Sequence, residues 1–168
     1  ANYEEAAGST IHAKAEHLAL VLETVESSMN QLNSNTDVSM YYSGNYKVDS
    51  KDERAAKKAI ESLMGTLGGE SEAIIGNIAI LSKYGESYAS DGKFTETERA
   101  VAFEASTDGK NFIASGEPVL WTGRHAFVDS QLGISESDYF MAVTTKLISA
   151  LGDENGYISA DIKSSMLV

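Results

Sequence analysis

At 168 residues, with 42% hydrophobic residues and a single proline, the sequence reads as one folded domain, or one lobe with a long helix, and not as a disordered chain. Thirteen basic residues against twenty-five acidic ones leave a net charge of −12, which argues against nucleic acid and against anionic lipid surfaces as partners, because both need Lys and Arg to replace counterions. With no cysteine, disulfides and thiolate metal sites are excluded.

Residues 9–33 form the clearest element. Ile11, Ala15, Leu18, Leu22, Val25, Met29 and Leu32 follow one another at intervals of 4, 3, 4, 3, 4 and 3, with Glu16, Glu23 and Glu26 off the seam. That spacing predicts a heptad-patterned helix of about 25 residues, roughly 36 Å long. Such a helix either packs wholly on its own domain or serves as a stalk that also pairs with a second copy. It is set apart here as residues 1–35, with residues 36–168 as the module that follows. Residues 33–50 are polar and aromatic and read as an ordered loop. Ser50 and Glu53 form a capping box that opens a helix ending at Gly68–Gly69. A buried strand follows through "AIIGNIAIL" (73–81), then a turn at Tyr84–Gly85, a short strand, and an Asp91–Gly92 turn. No apolar run approaches the roughly 18–20 residues of a membrane-spanning helix. Both ends read as cuts in a longer chain.

Thr95 and Glu98 make a second capping box, which starts a helix over "ETERAVAFEAS" (96–106). Asp108–Gly109 reads as a turn leading into "KNFIASGEPVLW", and the stretch to residue 133 reads as a long loop. Residues 138–150 and 157–165 are strands joined by a hairpin turn at 152–156; Ile158, Ala160 and Ile162 alternate with Ser159, Asp161 and Lys163. Helices segregated from an antiparallel sheet predict an α+β fold.

Local signatures of catalysis are missing. The sequence has no cysteine, no G-x-S-x-G elbow and neither common phosphate-binding glycine loop. His12 and His17 stand about 140° apart around their helix and do not share a ligand face, so no metal is expected; His12 and Glu16 make an ordinary i,i+4 pair. His125 with Asp129 is an acid–base pair by residue type, which leaves a small hydrolase open as an alternative. A third class, a structural or adhesion module built on the helix, also remains. The weight falls on binding over catalysis, and no cofactor is implied.

The stretches "W-T-G-R-H-A-F-V-D" (121–129), "D-Y-F-M-A-V-T-T-K-L-I-S" (138–149) and "G-Y-I-S-A-D-I" (156–162) after a long N-terminal helix resemble the extracytoplasmic Cache sensor domains of bacterial chemoreceptors (methyl-accepting chemotaxis proteins) and sensor histidine kinases. The resemblance implies a PAS-like antiparallel sheet flanked by helices, holding a small polar ligand such as an amino acid, amine or carboxylate. It also implies a membrane anchor in the full-length receptor and a homodimer through the first helix. Residue by residue it points to Arg99 before the pocket, to Phe127 and Asp129 in a following strand, and to Asp161 as an ammonium anchor. Val101 and Ala102 stand where amino-acid sensors carry an aromatic pair. Trp121 is either a core residue or an apolar wall of the pocket. Tyr139 and Phe140 point to opposite faces of their strand, so at most one of them lines the pocket.

Overall fold

The heptad pattern near the N-terminus builds α1 (Asn2–Ser34), a 33-residue helix. At 1.5 Å per residue it is about 50 Å long, much longer than the sheet it lies on. In the computed structural model, which describes residues 2–69, 74–90 and 98–167, only its C-terminal half is drawn into the core. Val21, Val25, Met29 and Leu32 are buried, whereas Ile11 is 69% and Leu18 38% exposed. The seam is therefore divided: its lower part packs on the sheet and its upper part faces outward.

Next come α2 (Thr36–Tyr42) and α3 (Lys51–Gly69). The polar stretch read as a loop contains α2 because Asn35 caps it, its side chain accepting from the Val38 N–H at 3.1 Å. At α3 the Ser50 hydroxyl accepts from the Glu53 N–H, and the Glu53 carboxylate accepts from the Asp49 N–H, a reciprocal cap displaced by one residue from the expected box. Gly68 and Gly69 lie within the last turn of α3, not beyond it.

Five strands follow among the described residues: β1 (Ile75–Ser82), β2 (Tyr88–Ala89), β3 (Val119–Thr122), β4 (Tyr139–Ile148) and β5 (Glu154–Lys163). All pair antiparallel, in the order β2-β1-β5-β4-β3. Between β2 and β4 the chain forms three short helices, α4 (Ala100–Ala105), α5 (Thr107–Ser115) and α6 (Ala126–Leu132). The fold is α+β, with a long N-terminal helix as expected. Thr95 and the Asp91–Gly92 pair lie outside the described residues, and α4 begins only at Ala100.

Two of these helices replace predicted irregular chain. Asp108–Gly109 is not a turn: Ser106 caps α5 by accepting from the Gly109 N–H. A Cβ at Gly109 would stand 1.9 Å from the Phe103 carbonyl oxygen, so glycine lets α5 follow α4 this closely. Likewise α6 occupies the middle of the stretch read as a long loop and stops at Gly133 in the left-handed conformation. Phe127 and Asp129 thus sit on a helix, not on a strand.

The sheet separates two cores. Ile158, Ala160 and Ile162 of β5 join Ile78, Ile80, Val143 and Leu147 against α1, α2 and α3. On the other face Ala79, Leu81 and Tyr157 pack with Phe103 of α4, Phe112 of α5, and Val128 and Leu132 of α6. Both faces are covered, giving three layers. None of the described helices is long and apolar enough to cross a membrane.

Candidate functional site

Strand alternation places Ser159 and Asp161 on the face of β5 turned toward α4–α6. An antiparallel strand with one polar row normally shows that row to water. Here the row is covered, and Ser159 and Asp161 are both 0% exposed. Two irregularities in the neighbouring strands accommodate the buried carboxylate. On β1 the register slips between Ile75 and Ile78, which turns the Asn77 N–H toward Asp161 Oδ1 at 2.9 Å. Gly76 belongs to the same slip, and a Cβ there would come within 2.5 Å of that oxygen.

On β4 the register slips between Tyr139 and Met141. The extra residue puts Phe140 and Met141 together on the α1 side and turns Tyr139 to the other. Tyr139 then donates its hydroxyl to Asp129 Oδ2 at 2.6 Å and accepts from the His125 N–H at 3.1 Å.

His125, at the head of α6, is the hub. Its Nε2 donates to Asp161 Oδ2 at 2.9 Å, and its Nδ1 shares a 2.8 Å hydrogen bond with Ser159 Oγ. Asp129 lies one helical turn later, its Oδ1 3.6 Å from the same Nε2. The imidazole is 3% exposed and meets the Tyr139 ring edge-on, with centroids 4.9 Å apart.

The two carboxylates are not equivalent. Asp161 accepts from three donors: the Asn77 N–H, the Asn77 side-chain amide at 3.2 Å, and His125. Among the described residues Asp129 accepts only from Tyr139, at Oδ2, and its buried Oδ1 has no hydrogen-bond partner. Burial raises the Asp129 pKa above the ordinary carboxylate value; the Tyr139 bond and His125 oppose that rise, and the Asp161 charge adds to it. The Tyr139 phenol is pushed well above its usual range by burial and by its bond to Asp129.

Three of the residues expected at the site, Asp129, Tyr139 and Asp161, are thus brought together. Phe127 lies on the same side, its ring 5.6 Å from that of Phe103 and its N–H held by Asp108 Oδ2 at 2.8 Å. Arg99 is buried just before α4, its N–H donating to Ser87 Oγ at 3.3 Å. Trp121 stands apart from them. It packs on the opposite face and donates its indole N–H to Glu26 Oε1 of α1 at 2.7 Å, so it is no wall of this site.

His125, Ser159 and Asn77 complete the cluster. The sequence carried no signal for Asn77 or Ser159, whose parts depend on register and on a covering helix. Serine, histidine and aspartate stand in line by distance, and Ser159 lies within β5 with no exposed surface. His12 and Glu16 form an exposed pair, 3.0 Å apart, on the outer part of α1. A groove of about 640 Å³ lies on the face opposite the cluster, between α1 and the side chains of Phe140 and Met166. No family model matches the sequence, and no curated protein shows significant similarity to it.

Proposed function

We propose that the chain is the ligand-sensing domain of a membrane receptor of the Cache type, and that it takes a small polar molecule bearing a hydrogen-bond donor beneath α6. The observation that carries this reading is the inequality of the two buried carboxylates. Asp161 is fully engaged and acts as the fixed anchor of the site, whereas Asp129 keeps one buried oxygen without a donor. A buried acceptor in that condition is destabilising, and a ligand that supplies the donor recovers the difference.

Several features of the fold support the reading. The antiparallel strand order β2-β1-β5-β4-β3, with helices inserted between β2 and β3, is compatible with the PAS-like sheet that the resemblance implies. The long helix and the polar cluster lie on opposite faces of one sheet, which suits a domain that must connect a site to a helix. The exposed Ile11 and Leu18 leave an apolar strip on α1 for the second copy expected of such a receptor. Because the cluster is closed, a ligand enters only when α6 shifts, and a molecule that binds the shifted arrangement better biases the equilibrium between the two.

A thermal-shift screen of amino acids, amines, carboxylates and nucleobases tests the reading. A binder of the native state raises the melting temperature by mass action, by about 2.7 kcal/mol of stabilisation at one hundred times its Kd. The isosteric Asp129→Asn variant is expected to lose that response, while Trp121→Phe keeps it. Absence of a binder in every class, or an unchanged response in Asp129→Asn, removes the support for this site.

A further inference from the structure

Two buried carboxylates face one imidazole under α6, and only one of them has a full set of donors. We infer that Asp129 is a proton-operated switch: binding of one proton there seats α6 more firmly on the sheet, so that the domain responds to acid in its own right. This goes beyond ligand sensing and needs no ligand.

Among the described residues, several charged and polar groups surround the switch. From the head of α6 come His125 and the neighbouring Arg124, whose charge favours the ionised form of Asp129. From β4 comes the Tyr139 hydroxyl, from β5 Asp161 and Ser159, and from β1 Asn77. From α5 comes Asp108, committed to the Phe127 N–H. From the start of α4 comes Arg99, buried on the same side of the sheet.

With Asp129 ionised, two negative charges share the His125 Nε2, and Asp161 takes the shorter bond at 2.9 Å against 3.6 Å for Asp129. Oδ1 of Asp129 then carries charge without a donor. A proton on that oxygen removes the charge and its repulsion from Asp161, and leaves the bond from Tyr139 to Oδ2 in place. The seated state therefore binds this proton more tightly than an arrangement in which α6 is lifted and Asp129 is in water. The stabilisation is present at low pH and is lost as pH rises through the Asp129 pKa of the seated state.

Beside the apolar packing of Val128 and Leu132, the polar attachment of α6 to the sheet runs through this cluster, by His125 to Ser159 and Asp161 and by Asp129 to Tyr139, so α6 is the element that reads the proton. The test is an NMR titration of the Asp129 side-chain carboxyl carbon, together with hydrogen exchange of the 126–133 amides corrected for intrinsic rates. Asp129 is expected to titrate above the ordinary aspartate value of about 3.9. The α6 amides should gain protection over the same interval, by about tenfold for each unit of upward shift. Asp129→Asn should hold α6 in the protected state at every pH, and Tyr139→Phe, which removes the Tyr139 donor to Asp129, should move the midpoint upward. An Asp129 midpoint at or below about 3.9 overturns the inference, as does α6 protection that does not follow the titration or a transition that persists in Asp129→Asn. Failure of the ligand screen leaves this result untouched, since the titration is made on the chain alone.

Discussion

A methyl group at Gly76 would stand 2.5 Å from Asp161 Oδ1. That oxygen has little room to give way, because Asp161 is fully buried and accepts from Asn77 twice and from His125. Gly76→Ala is therefore expected to destabilise the domain by about 1–3 kcal/mol, the usual range for overpacking a tight interior. In urea unfolding the midpoint should fall with little change in slope. The same glycine shows what could not be read in advance at this scale. The period of two in β5 correctly separated Ile158, Ala160 and Ile162 from Ser159 and Asp161, but nothing local says whether a strand's polar row faces water or a helix. His125 was equally opaque, because its partners Ser159 and Asp161 lie 34 and 36 positions away.

At the scale of elements, long and strongly periodic segments were legible and short ones were not. The pattern from Ile11 to Leu32 announced α1, and Ser50 with Glu53 announced α3. The helices α2, α5 and α6 span only seven to nine residues, too few for a period of 3.6 to stand out from chance. The caps carry more of their definition. Ser106 accepts from the Gly109 N–H at 3.1 Å, and Ser106→Ala should cost about 1 kcal/mol in thermal unfolding. Gly109→Ala should cost more than that, because its Cβ meets the backbone of Phe103, which cannot rotate away. A Gly109→Ala variant as stable as the parent would mean that α4 and α5 are joined less tightly than they stand here. The register slip at Phe140 belongs to this scale too: one extra residue in β4 decides which aromatic ring reaches Asp129, and alternation alone cannot show where it falls.

Across the whole molecule the sheet divides an apolar core under α1–α3 from a second apolar core that shares its face of the sheet with the polar cluster. Sequence reasoning anticipated the α+β class and the gathering of Asp129, Tyr139 and Asp161. It misplaced Trp121, whose neighbours in sequence lead into the site while its side chain turns to the opposite face. That placement has an optical consequence. Trp121 is the only tryptophan, half-buried on β3, with its indole N–H given to a carboxylate of α1. The tryptophan emission of the unlabelled protein, excited selectively over its eight tyrosines, therefore reports one contact, that between the long helix and the sheet. Titration of the α6 side alone should leave the emission maximum in place, whereas any signal that lifts α1 from β3 should wet the indole and shift it to the red. A stopped-flow trace of that single fluorophore would time the arrival of an event at the helix, separately from its beginning on the other face.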